Sequence, residues 1–169
     1  MRHAFIAFLV ATLLVACGSS AASQTPDADA TGKSSKSMRI GGSIHVLVVD
    51  DSSTELAYQS EFLAKHGFKV STAENGEMLM KLLAETATDA LPDIILMDVV
   101  MPGLNGYQLT RQLTRDERYR QIPIILMTSK DQETDKIWGM RQGASHYLTK
   151  PVDQDELLKI ISALLGDSK

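Results

Sequence analysis

From residue 44 onward, short apolar blocks alternate with stretches whose apolar residues recur at helical spacing. Ile44–Val49 is nearly continuous in apolar residues, as a strand buried on both faces must be. Ser52-Ser53-Thr54-Glu55 has capping-box spacing and predicts the opening of a first helix, with Gly67 as its stop. Phe68–Ala73 is a more polar second strand, which predicts a place toward the sheet edge. A second helix over Gly76–Thr86, a third strand over Ile94–Met97 and a third helix over Asn105–Arg115 follow. Then come strand four at Ile124–Met127, helix four at Thr134–Gln142 and a short strand five at His146–Leu148. Asp153–Leu165 is the fifth helix: Asp153 and Glu156 have capping-box spacing, and Leu157, Ile161 and Leu164 form a stripe of helical period. Five strand–helix pairs joined by short loops predict a doubly wound α/β domain built on a parallel five-stranded sheet.

The first 43 residues follow a different pattern. Residues 1–17 open with Arg2 and continue as an apolar run, Phe5–Ala16, shorter than the roughly 20 residues that span a bilayer as a helix. The run ends in Leu14-Val15-Ala16-Cys17-Gly18, which looks like a lipoprotein signal with Cys17 as the lipidated residue. The other reading is a leader upstream of the true start, with Met38 as that start. Residues 18–43, rich in Ser, Ala, Thr, Asp and Gly, read as a disordered tether. The folded domain is expected over 44–166, with 167–169 as a tail too short for an effector domain, so output must come from the domain's own surface. The net charge of −4 argues against broad nucleic-acid binding, which needs a basic face. Cys17 is the one cysteine, so no internal disulfide can form. The hydrophobic fraction of 44% and charged fraction of 22% are those of a globular chain.

The predicted topology gathers chemistry at one place. Strand C-termini of a parallel sheet share one edge, where ligands bind. The acidic pair Asp50-Asp51, the lone Asp98, and Thr128 with Lys150 all follow apolar strand blocks and should meet there. Three carboxylates suit a hard cation such as Mg²⁺. An ammonium and a hydroxyl beside them suit a phosphoryl group. Taken singly, each residue has an ordinary explanation. Asp98 could cap a turn, Asp50 and Asp51 could be solvated, Thr128 is a favoured strand residue, and Lys150 could be a surface lysine before Pro151. Tyr147 could be sheet packing. Trp138, the single tryptophan, reads as core packing with partner contact as the alternative. Met97 and Met101 read as packing, since thioethers do not hold Mg²⁺. His3, His45, His66 and His146 have no metal-ligand spacing. The absence of a Walker or dinucleotide glycine loop argues against ATP and NAD.

Order and spacing of Val48-Val49-Asp50-Asp51-Ser52, Leu96-Met97-Asp98-Val99-Val100-Met101-Pro102-Gly103-Leu104-Asn105-Gly106, Met127-Thr128-Ser129 and Tyr147-Leu148-Thr149-Lys150-Pro151 resemble the receiver domain of two-component response regulators. The resemblance covers about Ile44 to Leu165. Lys130 to Lys136, with Trp138-Gly139 and Arg141-Gln142-Gly143-Ala144, are most similar to single-domain twitching-motility receivers of the PilH type. The resemblance implies a CheY-like, flavodoxin-like fold of strand order 2-1-3-4-5 with five helices. It implies Asp98 as phosphoacceptor, with Mg²⁺ held by Asp51, Asp98 and the backbone carbonyl of Val100, and by Asp50 mainly through water. It implies Thr128 and Lys150 as phosphoryl ligands, a cis Lys150-Pro151 bond, and Thr128 with Tyr147 as the switch. The donor would be a histidine kinase or a His-phosphotransfer protein, the output a downstream motility or signalling protein, and the output surface helix 4, strand 5 and helix 5.

Such a protein is not an enzyme of turnover; it catalyses only its own phosphorylation and dephosphorylation. An aspartyl-nucleophile phosphatase would want a second Asp where Val100 stands. A kinase fed by ATP places the working receiver in the cytoplasm, whereas Cys17 would anchor it at a membrane. A tethered, unphosphorylated binding module is therefore the remaining alternative, and membrane contact is expected only through a lipidated Cys17.

Overall fold

A computed structural model of the protein describes residues 44–129 and 131–166. The expectations for residues 1–17 and 18–43, for Lys130 and for 167–169 lie outside the described residues. The strands are β1 (His45–Val49), β2 (Lys69–Ala73), β3 (Ile94–Asp98), β4 (Ile124–Thr128) and β5 (His146–Thr149). The helices are α1 (Ser53–Lys65), α2 (Gly76–Glu85), α3 (Gly106–Arg115), α4 (Glu133–Arg141) and α5 (Gln154–Gly166). A 3₁₀ turn at Thr88–Ala90, absent from the sequence reading, precedes β3.

All strand pairs are parallel, in the order β2-β1-β3-β4-β5, so the polar second strand is indeed at an edge. The continuous apolar blocks of β1, β3 and β4 are buried at every position. Successive side chains in a strand point to opposite faces, so each central strand feeds two cores. Val46, Val48, Ile94, Leu96, Ile125 and Met127 pack against α1 and α5 through Leu56, Leu63, Leu157 and Ile161. Leu47, Val49, Ile95, Met97 and Leu126 fill the other face with Leu79, Leu83, Leu109 and Leu113. Met97 and Met101 are core residues.

Local signals place the helix ends. Gly67, at φ 84°, follows the end of α1. Asn105 and Gln108 close a complete capping box at α3, with bonds of 3.0 and 3.1 Å. The box expected at α1 is only half present. Ser52 accepts from the Glu55 amide at 3.3 Å, but the Ser52 amide donates to Asp50 Oδ1 at 2.9 Å. Asp50 is two residues away and reaches that amide through a short turn, which takes the place of the Glu55 side chain.

Trp138 corrects a second expectation. Its side chain is 53% exposed, so it is not core packing. The face that α4 turns inward carries Gly139, the one residue of that helix that is buried. Among the described residues no helix is long and apolar enough to cross a membrane.

Candidate functional site

Register brings the strand ends together. β1 and β3 are neighbours, with Val49 beside Met97, and β3 and β4 are neighbours, with Asp98 beside Met127. Asp50 and Asp98 thus emerge side by side on the C-terminal edge, 2% and 4% exposed. Lys150 follows β5, and its amide donates to the Thr128 carbonyl at 2.7 Å, which ties the lysine to the end of β4. Its Nζ donates to Asp50 Oδ2 at 2.6 Å and stands 2.7 Å from Asp98 Oδ1. One ammonium therefore joins two buried carboxylates. The Lys150-Pro151 bond is cis.

The other Asp50 oxygen is also engaged: Oδ1 accepts from the Ser52 amide at 2.9 Å. Burial pushes the Asp98 carboxyl above its ordinary range; Lys150 offsets part of this and the Asp50 charge adds to it. Burial works against the Lys150 ammonium, but the two carboxylates outweigh it and raise its pKa. The lysine thus favours its charged form, while burial favours the protonated form of Asp98.

The other candidate residues stand in different positions. Asp51 is exposed at the start of the loop after β1. Val100 is 53% exposed, two residues beyond Asp98. Thr128 is fully buried at the end of β4. Tyr147 lies inward, 7% exposed.

For Mg²⁺ the donor chemistry fits. Asp50, Asp51 and Asp98 offer hard oxygens, and two of these carboxylates, Asp50 and Asp98, share a single ammonium, so the buried pair is short of positive charge. The arrangement is nevertheless not a closed cage: among the described residues no three acidic, His or Cys side chains are grouped to hold a metal. The lysine bridges the two buried acids, and Asp51 stays outside that pair.

Three residues matter here for reasons the sequence reading did not identify. A Cβ on Gly106 would fall 2.3 Å from the Asp98 carbonyl oxygen and 2.9 Å from Val99 Cα, so α3 can start this close to the acidic strand end only with glycine. Gly139 inside α4 lets that helix lie against Leu126, Tyr107 and Tyr147. A glycine within a helical pattern is the available signal for such an approach. The Tyr107 hydroxyl donates to the Asp135 carbonyl at 3.3 Å, a contact no local pattern announces.

Comparison with known proteins accords with this geometry. Residues 46–162 match the family model described as response regulator receiver domain. Protein PilH of Pseudomonas aeruginosa is 56% identical over 121 residues, which cover 72% of this chain and 97% of that protein. Protein PilG of the same organism is 37% identical over 120 residues, covering 71% of this chain and 86% of that protein. Among solved structures, chemotaxis protein CheY4 of Vibrio cholerae superimposes with a TM-score of 0.66 at 28% identity, covering 73% of this chain and 99% of that one. A putative response regulator of Chloroflexus aurantiacus gives 0.69 at 29% identity, covering 74% and 99%. With the fold, the family match and a relative covered almost end to end, the chain belongs to the response regulator receiver domain family.

Proposed function

We propose that this chain is a stand-alone receiver that accepts a phosphoryl group on Asp98 from a histidine kinase or a His-phosphotransfer protein. The observation that carries the reading is the Lys150 ammonium held between Asp98 and Asp50 at the mouth of the sheet, 2.7 and 2.6 Å away. An Asp98 oxygen attacks phosphorus, the phosphorus–nitrogen bond to the donor imidazole breaks, and the imidazole leaves with that electron pair. Asp98 is held in place by Lys150 Nζ, 2.7 Å from its Oδ1. Lys150 would follow the incoming negative charge from carboxylate to phosphoryl oxygen, and the Thr128 hydroxyl would donate to another. Asp50, Asp51, Asp98 and the Val100 carbonyl would hold Mg²⁺, which supplies charge neutralisation for the transfer.

With valine at position 100, the acid that an aspartyl-nucleophile phosphatase would want two residues after its nucleophile is missing, so the proposal is a phosphoacceptor rather than a phosphatase. Output would pass through α4, β5 and α5, where Asp131, Glu133, Lys136, Tyr147 and Glu156 line a cleft. Similarity to PilH favours control of type IV pilus movement, and dependence on an ATP-fed kinase favours the cytoplasm.

The test is to mix the protein with a small phosphodonor and Mg²⁺ and to weigh it. An added mass of about 80 Da, one phosphoryl group, is expected in the wild type and not in Asp98→Asn. An equal adduct in Asp98→Asn would overturn the assignment.

A further inference from the structure

The two flanks of α4 differ in charge. On one flank Asp131, Glu133, Lys136 and Glu156 surround, with Tyr147, Leu148 and Thr149 of β5, a cleft of about 240 Å³. Asp131, Glu133 and Glu156 make no ion pair among the described residues. β5 is an outer strand of the sheet, and the free side of such a strand presents main-chain groups that need a cover. The cleft is smaller than the roughly 300 Å³ at which small-molecule sites begin, and it is acidic, so it fits one cationic side chain. An arginine suits it: the apolar stem can lie along the edge of β5 while the donor fork meets two carboxylates.

The other flank carries the arginines. Every arginine of residues 44–166 lies on α3, in the turn after it or on α4: Arg111, Arg115, Arg118, Arg120 and Arg141. The Tyr107 hydroxyl donates to the Asp135 carbonyl at 3.3 Å, and the Thr114 hydroxyl to the Gln142 carbonyl at 3.1 Å. Both contacts have the same offset of 28 residues, so α3 and α4 run side by side and Arg111 lies level with Gly139. Trp138 shares the α3-facing stripe of α4 with Asp135 and Gln142, and Arg141 stands one turn from Trp138. Arg118 is used locally, donating to the Thr86 carbonyl and lying over the Tyr119 ring. Asp116 and Glu117 come after the end of α3, and Asp116 accepts from the Arg118 amide. Arg111, Arg115 and Arg141 are exposed and make no ion pair among the described residues. Arg111 and Arg115 stand one turn apart, a like-charge pair that an acidic surface relieves. An exposed tryptophan among unpaired arginines has the composition of an interface hot spot.

We propose that copies of this chain associate head to tail, the flank of Arg111, Arg115 and Arg141 on one copy docking on the acidic cleft of the next, with a guanidinium seated between Glu133 and Glu156. α4 separates the two surfaces, so one molecule cannot bring its own flank to its own cleft. The surfaces differ, so the contact is heterologous, and each added copy leaves one flank and one cleft open. The paired charges are exposed, so the contact strengthens in low salt and is screened as salt rises. A seated arginine covers the edge of β5, so association would withhold from a downstream partner part of the surface through which output would pass.

Sedimentation velocity of the full chain, without phosphodonor, tests the contact. Two variants alter exposed residues alone and remove charge without reversing it. The flank variant carries Arg111→Gln, Arg115→Gln and Arg141→Gln; the cleft variant carries Glu133→Gln and Glu156→Gln. In about 0.01 M salt the wild-type mass should rise past that of a dimer as protein concentration increases. It should return to monomer near 1 M salt, where the Debye length is about 3 Å. Each variant alone should stay monomeric over the same range. An equimolar mixture of the two should form a dimer and stop there, because one supplies an intact cleft and the other an intact flank. A wild type that stays monomeric in low salt, growth that ends at a dimer, or a mixture that stays monomeric would overturn the contact. Association that persists in 1 M salt or in either variant alone would belong to another surface and would equally overturn it. No step needs phosphorylation, so these outcomes decide the contact whether or not Asp98 is the acceptor.

Discussion

Replacing Lys150 by methionine removes the cation from between two buried acids and keeps most of the length of the side chain. Asp50 and Asp98 have side chains only 3% and 5% exposed, with Lys150 Nζ at 2.6 and 2.7 Å. At an effective dielectric near 20, one ion pair at about 4 Å is worth roughly 4 kcal/mol of gross attraction. Part of this is recovered because the ammonium no longer has to be desolvated; breaking a buried pair costs about 3–5 kcal/mol net. Lys150 retains 21% exposure, which points to the lower end, about 3 kcal/mol at pH 7. At a urea m-value of about 2 kcal/mol per M, the unfolding midpoint should fall by about 1.5 M.

The pH dependence has a definite sign. The Asp98 pKa is already raised from 3.8, so its ionisation opposes folding, and that penalty is absent below 3.8. Without the lysine the pKa rises further, so the variant's deficit should be full near neutrality and shrink as pH falls through the carboxylate range. The Lys150 pKa is raised from 10.5, so its contribution in the wild type persists through neutral pH and is lost only as alkaline pH passes the folded value. Adding Asp98→Asn to Lys150→Met should restore more than about 1 kcal/mol, since neighbouring charges are not additive. A deficit under about 1 kcal/mol at pH 7, or the same deficit at pH 7 and pH 4, would refute the reasoning.

Two further substitutions probe the surroundings of Asp98. Gly106→Ala should destabilise the fold by about 3 kcal/mol in urea unfolding and slow phosphorylation, because the new Cβ meets the Asp98 and Val99 backbone rather than a side chain that can turn away. A loss under about 1 kcal/mol would show that α3 can move back without disturbing β3. Val100→Asn should shorten the lifetime of the aspartyl phosphate, measured as decay after the donor is removed, because an amide at this exposed position can orient the attacking water and valine cannot. Unchanged or slower decay would mean that this side chain does not govern the water's approach.

The apolar blocks of β1, β3 and β4 were legible because strands buried on both faces leave no room for polar residues. The helix starts were mostly legible because caps are local: Asn75, Asn105 and Asp153 each accept from an amide three residues on. The Ser52 box misled because its amide had a competing acceptor in Asp50, and only the turn geometry decides between them. Trp138 misled for a related reason. Exposure depends on which face a helix turns inward, and α4 turns in a glycine, so hydrophobicity alone pointed the wrong way.

The chain by itself determined the element order, the parallel sheet and the set of residues that reach its C-terminal edge, since these follow from period, caps and the geometry of parallel strands. The tertiary structure decided the rest. It set Lys150 between Asp50 and Asp98, left Asp51 outside, and brought the Tyr107 hydroxyl to the Asp135 carbonyl. Those contacts join residues up to 100 positions apart. Their distances depend on register and on how closely α3 and α4 approach the sheet at Gly106 and Gly139. No local pattern encodes such a distance, because it is the outcome of packing the whole domain at once.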